Sequence, residues 1–322
     1  MNTIMSGNGS FYSNIQGTAE GTSYNITYQD SENRDFQPRI EALLADFEKS
    51  LSVYDNESVI SRINRNEDVE TDACFTTVFT RAKEISARTE GSFDISAEPL
   101  FRAWGFSSQE KCPPDKEQIE ELKKYIGMDK VRIEGNRVLK EHPNIVLNVN
   151  AIAKGYSADI VASFLEQHGC SDYLVEIGGE IRVKGENTQG EAWRIGIDRP
   201  SENNLIPGQA LQVILQITDK GIATSGNYRQ FYIEDGQKIT HTINPVTGYP
   251  AKHNLLSVTV VADDALTADA YATAFMVAGL DKALEWMDEC PELDAVFICD
   301  EDGEYKAYCT PALEDKILQE YR

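Results

Sequence analysis

The chain has 322 residues, of which 41% are hydrophobic and 26% charged, a composition typical of a globular protein with a large core. Its 53 acidic residues against 30 basic ones give a formal net charge of -23 at pH 7, which disfavours binding to nucleic acid or to an anionic membrane through a general basic surface. An anionic ligand must therefore be held by local groups, such as a metal ion, a helix N-terminus or single lysines.

The N-terminal region predicts no export signal and no membrane anchor in the sequence as given. Residues 1–30 contain no continuous apolar run of the kind found in signal peptides. No later run reaches the roughly 18 apolar residues that a membrane-spanning helix needs. Residues 1–16 are rich in Ser, Asn and Gly, and we expect a flexible leader there, before a single domain at 17–322 that can be divided into two lobes.

The cysteines and histidines do not predict a zinc site. Six cysteines and four histidines are present, without a CxxC pair or a Cys/His cluster at zinc spacing. Cys299 and Cys309 flank a predicted hairpin turn. They are interpreted either as a disulfide, if the compartment is oxidising, or as buried free thiols.

The first third of the chain predicts a strand and two helices. Residues 21–29 alternate between polar and apolar side chains, which predicts a strand. Apolar residues recur at helical spacing in residues 36–51 and again in residues 74–89, which predicts two amphipathic helices. Tyr54 follows the first helix, where a lone tyrosine is more often a packing residue than a ligand contact.

Residues 91–106, GSFDISAEPLFRAWGF, combine carboxylates, a proline and large aromatic residues without a clear period. Such a segment can surround a planar ligand, since Phe93 and Trp104 offer ring faces and Asp94 offers a hydrogen-bond acceptor. Taken alone, the segment is better explained as a packed irregular loop.

A strand-to-helix junction is predicted near the middle of the chain. Residues 145–149 are apolar and predict a strand, and the segment NAIAKGYSADIVASFLEQHG that follows predicts a helix with Lys154 and Gly155 at its start. Free backbone N–H groups, the helix dipole and one lysine charge favour anion binding there. The junction lacks the glycine spacing of a Walker A loop.

The second half predicts further strands and hairpins. Residues 173–184 form two alternating runs around Gly178 and Gly179, explained either by a plain hairpin or by close approach of the backbone to a ligand. The tail after residue 279 predicts a helix, a hairpin and a final acidic helix. Other strands are predicted at residues 193–198, 212–217 and 222–224, followed by a polar turn at 224–228.

The segment from Lys238 to Gly279 carries the densest chemistry in the sequence. His241 ends a predicted strand, a turn follows in the sequence NPVTG, and a second strand comes after it. A helix is predicted to begin after Asp263 or Asp264, either of which can serve as its N-cap.

Asp269 and Thr273 lie four residues apart in that helix, so they share one face, with Cβ atoms roughly 5–6 Å apart. The surrounding residues are apolar on nearly every side, which predicts a fully buried helix. A buried carboxylate requires a partner, and an Asp carboxylate with a Thr hydroxyl is a partial ligand shell for Mg²⁺. On spacing alone, an ordinary cap or salt bridge of Asp269 and a back-bond from Thr273 explain the pair better.

Eight segments, taken together and in order, resemble one known family. They are GTSY at Gly21, LSVYDNESVISRIN at Leu51, GSFDISAEPLFRAWGF at Gly91, NAIAKGYSAD at Asn150, EIGGEIRVKG at Glu176, ATSGNYRQFY at Ala223, HTINPVTGYPAKHNLLSVTV at His241 and LTADAYATAFMVAG at Leu266. This set resembles the ApbE family, the FAD:protein FMN transferases. The resemblance implies an α+β fold of the ApbE type (T-fold-like), with an antiparallel sheet and packed helices.

The resemblance also implies an activity. An enzyme of this family binds FAD and Mg²⁺, cleaves the pyrophosphate, releases AMP and attaches FMN through a phosphoester to a Thr or Ser hydroxyl of a partner protein. The implied partner is a subunit of a redox-driven membrane complex or a similar acceptor, and no nucleic acid is expected.

Site residues follow from the resemblance position by position. Mg²⁺ would be held by the side chains of Asp269 and Thr273 and by the backbone carbonyl of Ala151. His241 matches the histidine proposed as general base, and Asp269 is counted with it as a catalytic residue. FAD contacts are expected at Tyr54, Ser92, Phe93, Asp94, Asn148, Lys154 and Ile243.

The chain departs from the family pattern at several points. Asn148 and Asn244 stand where the family frequently has Asp, and Glu20 stands where a methionine is common. The family is usually exported to the periplasmic side of the cell envelope, often as a lipoprotein, and the export segment is absent from this sequence.

Two other functions are compatible with the same motifs. A Mg²⁺-dependent FAD pyrophosphatase would release free FMN and AMP, if the changes at Asn148 and Asn244 admitted water. A non-catalytic protein would bind FAD without turnover.

Overall fold

The computed structural model describes residues 2–5, 11–106, 113–201, 204, 208–228, 231–234 and 237–321. Its strands are β1 (Asn2–Met5), β2 (Phe11–Ala19), β3 (Thr22–Gln29), β4 (Val131–Glu134), β5 (Arg137–Lys140), β6 (Tyr173–Ile177), β7 (Glu180–Lys184), β8 (Trp193–Asp198), β9 (Leu211–Ile217), β10 (Lys220–Gly226), β11 (Phe231–Glu234), β12 (Gln237–Thr240), β13 (Leu255–Ala262), β14 (Asp294–Glu301), β15 (Glu304–Cys309) and β16 (Ile317–Glu320). Its helices are α1 (Gln37–Leu51), α2 (Val59–Asn64), α3 (Ala73–Arg88), α4 (Glu98–Ala103), α5 (Lys116–Lys123), α6 (Ala153–Gln167), α7 (Ala265–Ala278), α8 (Leu280–Glu289) and α9 (Pro311–Glu314).

One large antiparallel sheet organises these elements. Its strand order is β1-β2-β3-β6-β7-β10-β13-β14-β15, and every neighbouring pair is antiparallel. A smaller antiparallel sheet has the order β16-β9-β8. The expected α+β class with an antiparallel sheet and packed helices is confirmed.

The large sheet is covered on both faces. Because side chains alternate across a strand, Val260 on β13 packs with the helices, whereas Val261 packs with the residues of the small sheet. Both are buried, which explains why β13 is apolar almost throughout. Among the described helices, none combines the length and the apolarity needed to cross a lipid bilayer.

Helix α7 is buried between the large sheet and the other helices. Asp264 caps it by accepting a hydrogen bond from the backbone N–H of Thr267 at 2.7 Å. Asp159 of α6 also accepts from the N–H groups of Ala265 and Leu266, at 3.0 and 2.8 Å. These two carboxylates satisfy N–H groups that the first turn of a helix leaves free, and they tie the start of α7 to α6.

The structure corrects the prediction for the N-terminal residues. Residues 11–16 belong to β2 and pair with β3, and residues 2–5 pair with β2 as β1, so neither segment is a flexible leader. Tyr12 and Ile15 are buried in β2 but lie three residues apart and on opposite faces of the strand, so the sequence shows no alternating pattern there. The rest of the expected leader, residues 1 and 6–10, lies outside the described residues.

Three further predictions differ from the structure. Residues 145–149 form no strand: the backbone N–H of Leu147 donates to the Asn64 side chain at 2.8 Å, and that of Asn148 donates to the carbonyl of Ile95 at 2.7 Å. The expected final helix is limited to α9 and is followed by strand β16. Cys299 and Cys309 are free thiols, because they stand opposite Lys306 and Val296 rather than opposite each other. Cys112 lies outside the described residues.

Candidate functional site

The core of the site is the contact between the start of α6 and the side of α7. Asp269 is only 6% exposed, and its Oδ2 accepts a hydrogen bond from the backbone N–H of Gly155 at 3.1 Å. A Cβ atom on Gly155 would lie 2.2 Å from the carbonyl oxygen of Ala265, so only glycine allows the two helices to approach this closely. Burial raises the pKa of Asp269, against the opposing effects of Lys154 and of the Gly155 N–H group.

Lys154 lies next to this carboxylate and forms an ion pair with Glu180 at the start of β7. The Glu180 side chain is 5% exposed and that of Lys154 is 32% exposed. Burial raises the pKa of Glu180, although its ion-pair partner Lys154 acts in the opposite direction. Burial lowers the pKa of Lys154, but Glu180 and Asp269 outweigh it and the net shift is upwards, which keeps the ammonium charged.

The turn between β6 and β7 leaves room for Lys154. Gly178 has a φ of +63°, and a Cβ atom there would lie 3.2 Å from the Cδ of Lys154 and 2.8 Å from the Cγ2 of Thr22. The hairpin therefore explains the glycine at this position, and the close approach is to the protein's own lysine.

Glu20 adds a third carboxylate to the cluster. It occupies the turn between β2 and β3, and burial raises its pKa to about 7, with the charges of Glu48 and Asp269 adding to the shift and Ser157 and Lys154 opposing it. The Oε1 atom of Glu20 and the Oε2 atom of Glu180 are buried without a hydrogen-bond partner. Three carboxylates and one ammonium leave two negative charges in excess when all are ionised.

These residues fit a divalent oxygen-preferring cation. The excess negative charge and the unpartnered oxygens would both be satisfied by it. Thr273 lies one turn after Asp269 on α7, and Ala151 lies two residues before α6 begins. The part of the chain that the structure describes contains no group of three His, Cys, Asp or Glu side chains suited to a metal, so neutral oxygens and water would complete the shell.

Segment 91–106 and residue Asn148 form a second part of the site. Burial raises the pKa of Asp94, whose Oδ1 accepts from the Ser96 N–H and hydroxyl groups at 2.7 and 2.5 Å. The amide of Asn148 donates to Glu98 at 2.7 Å. Because the backbone N–H of Asn148 also donates to Ile95, this residue is fixed on segment 91–106.

Tyr54 stands at the surface beside this part. Its side chain is 85% exposed, and its hydroxyl accepts a hydrogen bond from the Asn150 amide at 3.1 Å. The backbone N–H of Asn150 in turn donates to Asn148 at 2.9 Å. Tyr54 is therefore an open aromatic ring rather than a packing residue.

The aromatic rings of segment 91–106 face inwards. Phe93 belongs to the main core, and the indole N–H of Trp104 donates to the carbonyl of Gly248 at 2.9 Å inside a smaller core cluster. The rings of Phe93 and Trp104, which we expected to offer faces to a ligand, are packed against other side chains. Any contact between Phe93 and a ligand would therefore come from its backbone. Ser92 is also buried and donates its N–H to the carbonyl of Thr89.

His241 and Ile243 belong to the loop that packs on segment 91–106. The imidazole of His241 lies with its centroid 6.3 Å from the ring of Phe106, and Ile243 is buried with Trp104. In the following turn, Asn244 accepts from the N–H groups of Val246 and Thr247 at 2.9 and 3.0 Å. The side-chain oxygen of Asn244 therefore stabilises its own turn.

The predicted site residues thus fall into two contact groups. Lys154 and Asp269 meet at the α6–α7 contact, whereas Asp94, Asn148 and Ile243 are joined through segment 91–106. Sequence reasoning missed Glu180. The only available signal was an acidic residue at an inward position of a strand, directly after two glycines.

Comparisons with known proteins agree on one family. The family model described as "ApbE family" matches residues 21–297. The FAD:protein FMN transferase of Haemophilus influenzae is 36% identical over 286 residues, covering 84% of this chain and 82% of the relative. That of Vibrio cholerae is 34% identical over 309 residues, covering 93% and 91%.

Solved structures give the same result. The flavin transferase ApbE from Vibrio cholerae superposes with a TM-score of 0.84 at 32% identity, covering 95% of this chain and 99% of that one. The apo form of the Pseudomonas stutzeri flavinyl transferase ApbE has a TM-score of 0.85 at 29% identity, covering 95% and 97%.

Proposed function

The chain belongs to the ApbE family, and from this membership we propose that it is an enzyme that transfers FMN from FAD to a partner protein. The observation that carries the proposal is the buried Asp269 beside Lys154 at the start of α6. Both residues stand in segments by which the chain resembles the family. A buried carboxylate, a lysine and a helix N-terminus are groups suited to holding a diphosphate together with a cation.

The proposed reaction is the displacement of AMP by a hydroxyl group. The oxygen of a Thr or Ser side chain forms a bond to the phosphorus of the FMN half, and the bond from that phosphorus to the bridging oxygen breaks. AMP leaves with the bridging oxygen. The proton of the acceptor hydroxyl passes to a base, for which His241 is the candidate, because a histidine with an ordinary pKa of about 6.5 can accept a proton at neutral pH.

Mg²⁺ is the proposed cofactor, held by the side chains of Asp269 and Thr273 and by the carbonyl of Ala151. When bound, it would supply positive charge to the diphosphate. The fit rests on the cluster, in which one ammonium faces three carboxylates and two carboxylate oxygens are buried without a hydrogen-bond partner.

Other residues of the chain are proposed to bind the substrate directly. Lys154 would bind a phosphate oxygen, and the N-terminus of α6 would add the positive end of its dipole. Tyr54 offers an exposed ring against which the flavin or the adenine can stack. The remaining proposed FAD contacts are Ser92, the backbone of Phe93, Asp94, Asn148 and Ile243.

The acceptor protein and the location are also proposals. We infer a Thr or Ser acceptor in a subunit of a redox-driven membrane complex, and a place of action on the periplasmic side of the cell envelope. The support for both is the resemblance to an exported family. Fractionation of the cells that naturally produce the protein would test the location.

The activity is tested by mass spectrometry of an acceptor. The protein is incubated with FAD, MgCl₂ and an acceptor domain that contains a Thr site, and the acceptor is expected to gain the mass of FMN while AMP appears in equal amount. The variant Asp269→Asn keeps the size of the side chain but removes its charge, and we expect it to lose at least about a hundredfold in rate, a loss typical of removing an electrostatic catalytic group.

The controls distinguish the alternatives. Asp46→Asn changes an exposed aspartate on α1 and is expected to leave the rate unchanged. Incubation without an acceptor separates transfer from hydrolysis, since a pyrophosphatase would accumulate free FMN over many turnovers. Asn244 gives no structural reason to expect hydrolysis, because its side chain stabilises its own turn. A protein that binds FAD and never releases AMP would be non-catalytic, and the proposal would be wrong.

A further inference from the structure

Lys154 stands between two buried carboxylates and pairs with only one of them. Among the ion pairs of the described residues, the Lys154 ammonium pairs with the Glu180 carboxylate. No carboxylate oxygen of Asp269 lies within 4.0 Å of the Lys154 nitrogen. Asp269 is nevertheless close, since its Oδ2 binds the backbone N–H of Gly155, the next residue along the chain. The lysine therefore has a choice of counter-ions within the reach of its flexible side chain.

We propose that Glu180 is a positioning residue that draws the Lys154 ammonium away from Asp269 and thereby keeps the Asp269 carboxylate open to a divalent cation. The inference rests on the proposed function for the role of that cation. The resemblance to the family gave no role for Glu180, and the inference assigns one.

The physical reason is competition between two positive groups for one carboxylate. A lysine in a buried site needs a negative partner, and the attraction between opposite charges is strong when they are shielded from water. If Glu180 were neutral, the carboxylates left to attract Lys154 would be Asp269 and, with a weaker effect, Glu20. A direct Lys154–Asp269 ion pair would then have to be broken before a cation could bind.

The local geometry supports this arrangement. Glu180 begins β7 with its side chain directed inwards, and its Oε1 atom receives the ammonium. The glycine turn before it lets the Lys154 side chain pass towards β7, since a Cβ on Gly178 would lie 3.2 Å from the Cδ of Lys154. Glu180 also has an unpartnered oxygen, Oε2, so a direct role as a metal ligand is the main competing explanation.

The test measures cation binding rather than activity. Mn²⁺ prefers the same oxygen ligands as Mg²⁺, and its free concentration can be followed by electron paramagnetic resonance. The site is identified in the wild-type chain as the Mn²⁺ binding that Asp269→Asn abolishes. For Glu180→Gln, which keeps the shape but removes the charge, we expect Mn²⁺ affinity at this site to fall roughly tenfold, the scale of one rearranged buried charge.

A second variant separates positioning from direct ligation. In Lys154→Met/Glu180→Gln the competing ammonium is also gone, and we expect Mn²⁺ affinity to return to within about threefold of the wild-type value, because coupled residues are not additive. If the double variant binds Mn²⁺ as weakly as Glu180→Gln, Glu180 acts on the ion directly and the inference is overturned. Unchanged affinity in Glu180→Gln, or no specific Mn²⁺ binding by the wild type, overturns it as well.

The controls cover folding and specificity. Glu166 and Lys184 form an ion pair at 3.0 Å between the same two elements, α6 and β7, so Glu166→Gln removes an equivalent pair away from the site and should leave Mn²⁺ binding unchanged. Near-ultraviolet circular dichroism checks each variant for native packing. Glu180→Asp keeps the charge on a shorter side chain and should retain most of the affinity, which keeps the inference testable if Glu180→Gln does not fold.

Transfer of FMN is assayed on the same preparations. If the Mn²⁺ results are as expected but the wild type transfers no FMN, the proposed function is wrong and the role of Glu180 is still supported. If the wild type transfers FMN and Glu180→Gln binds Mn²⁺ normally, only the role of Glu180 is wrong.

Discussion

At the scale of single residues, the site concentrates negative charge where a negatively charged substrate is proposed to bind. Asp269 and Glu180 are buried and Glu20 is half-buried, and burial raises the pKa of each of them. One ammonium, that of Lys154, opposes them. Such a cluster is costly without a further positive group, and this cost is the physical argument for a divalent cation.

Because of Glu20, the free energy of unfolding should depend measurably on pH. Its pKa is raised to about 7 in the folded chain, above the value of an unfolded glutamate, mainly by burial. A group of this kind contributes stability that is fully present below its unfolded pKa and is lost as the pH rises through its folded pKa. Without divalent cations, we therefore expect Glu20→Met to be more stable than the wild type at pH 8, by about 2 kcal/mol, and to lose this advantage near pH 4.5.

Urea unfolding in the presence of EDTA at a series of pH values measures this difference. The matched control is Glu57→Met, where the same change of residue at an exposed position removes no buried charge. An advantage of Glu20→Met that is constant with pH would show that hydrophobic packing, and not the carboxylate, is responsible.

At the scale of elements, the site depends on how closely α6 and α7 approach. The contact is formed at Gly155, and the carboxylates of Asp159 and Asp264 fix the first turn of α7. Because Asp269 is one turn further along α7, a displacement at Gly155 would move the carboxylate itself.

Gly155→Ala is therefore expected to destabilise the protein. The added Cβ would lie 2.2 Å from the Ala265 carbonyl oxygen and 2.9 Å from the Cβ of Asp269, so α6 and α7 must separate. Alanine favours a helix by about 1 kcal/mol over glycine, and overpacking costs about 1–3 kcal/mol, so we expect a net loss of up to about 2 kcal/mol.

Thermal and urea unfolding check this expectation. Ser163→Ala, at an exposed position on the same helix, is the control for helix propensity and should change the stability by less than about 0.5 kcal/mol. A stabilised Gly155→Ala variant would show that the two helices can move apart without cost.

Some of the helices and strands could be predicted from the sequence, and others could not. Residues 193–198 match β8 to the residue, and Asp264 is the N-cap of α7 as one of the two predicted candidates, because local periodicity and capping chemistry determine these features. Residues 145–149 are equally apolar but form no strand, since their hydrogen bonds go to Asn64 and Ile95, far away in the sequence. Long-range partners of this kind leave no local pattern.

The same limit applies to the site. The spacing of Asp269 and Thr273 and the helix start at Lys154 could be predicted, because each depends on one helix. The pairing of Lys154 with Glu180 could not, because it depends on how β7 meets α6. Whether Phe93 and Trp104 expose their rings is likewise decided by packing, and both are buried.

At the scale of the whole molecule, a chain with a net charge of -23 has to bind a substrate that carries a negatively charged diphosphate. The large sheet places α6 and α7 side by side on one face, which brings the lysine and the helix N-terminus to the same point as Asp269. These local positive groups oppose the negative electrostatic potential of the whole molecule. We propose that they bind the diphosphate only when a divalent cation is bound beside them.

The most direct test of this account is a crystal structure of the protein grown with FAD and MnCl₂, with anomalous scattering used to locate the ion. We expect an anomalous peak between the diphosphate and the side chains of Asp269 and Thr273, within about 2.0–2.3 Å of their oxygens and of the Ala151 carbonyl oxygen. FAD bound with no peak at Asp269, or with Asp269 paired directly to Lys154, would contradict it.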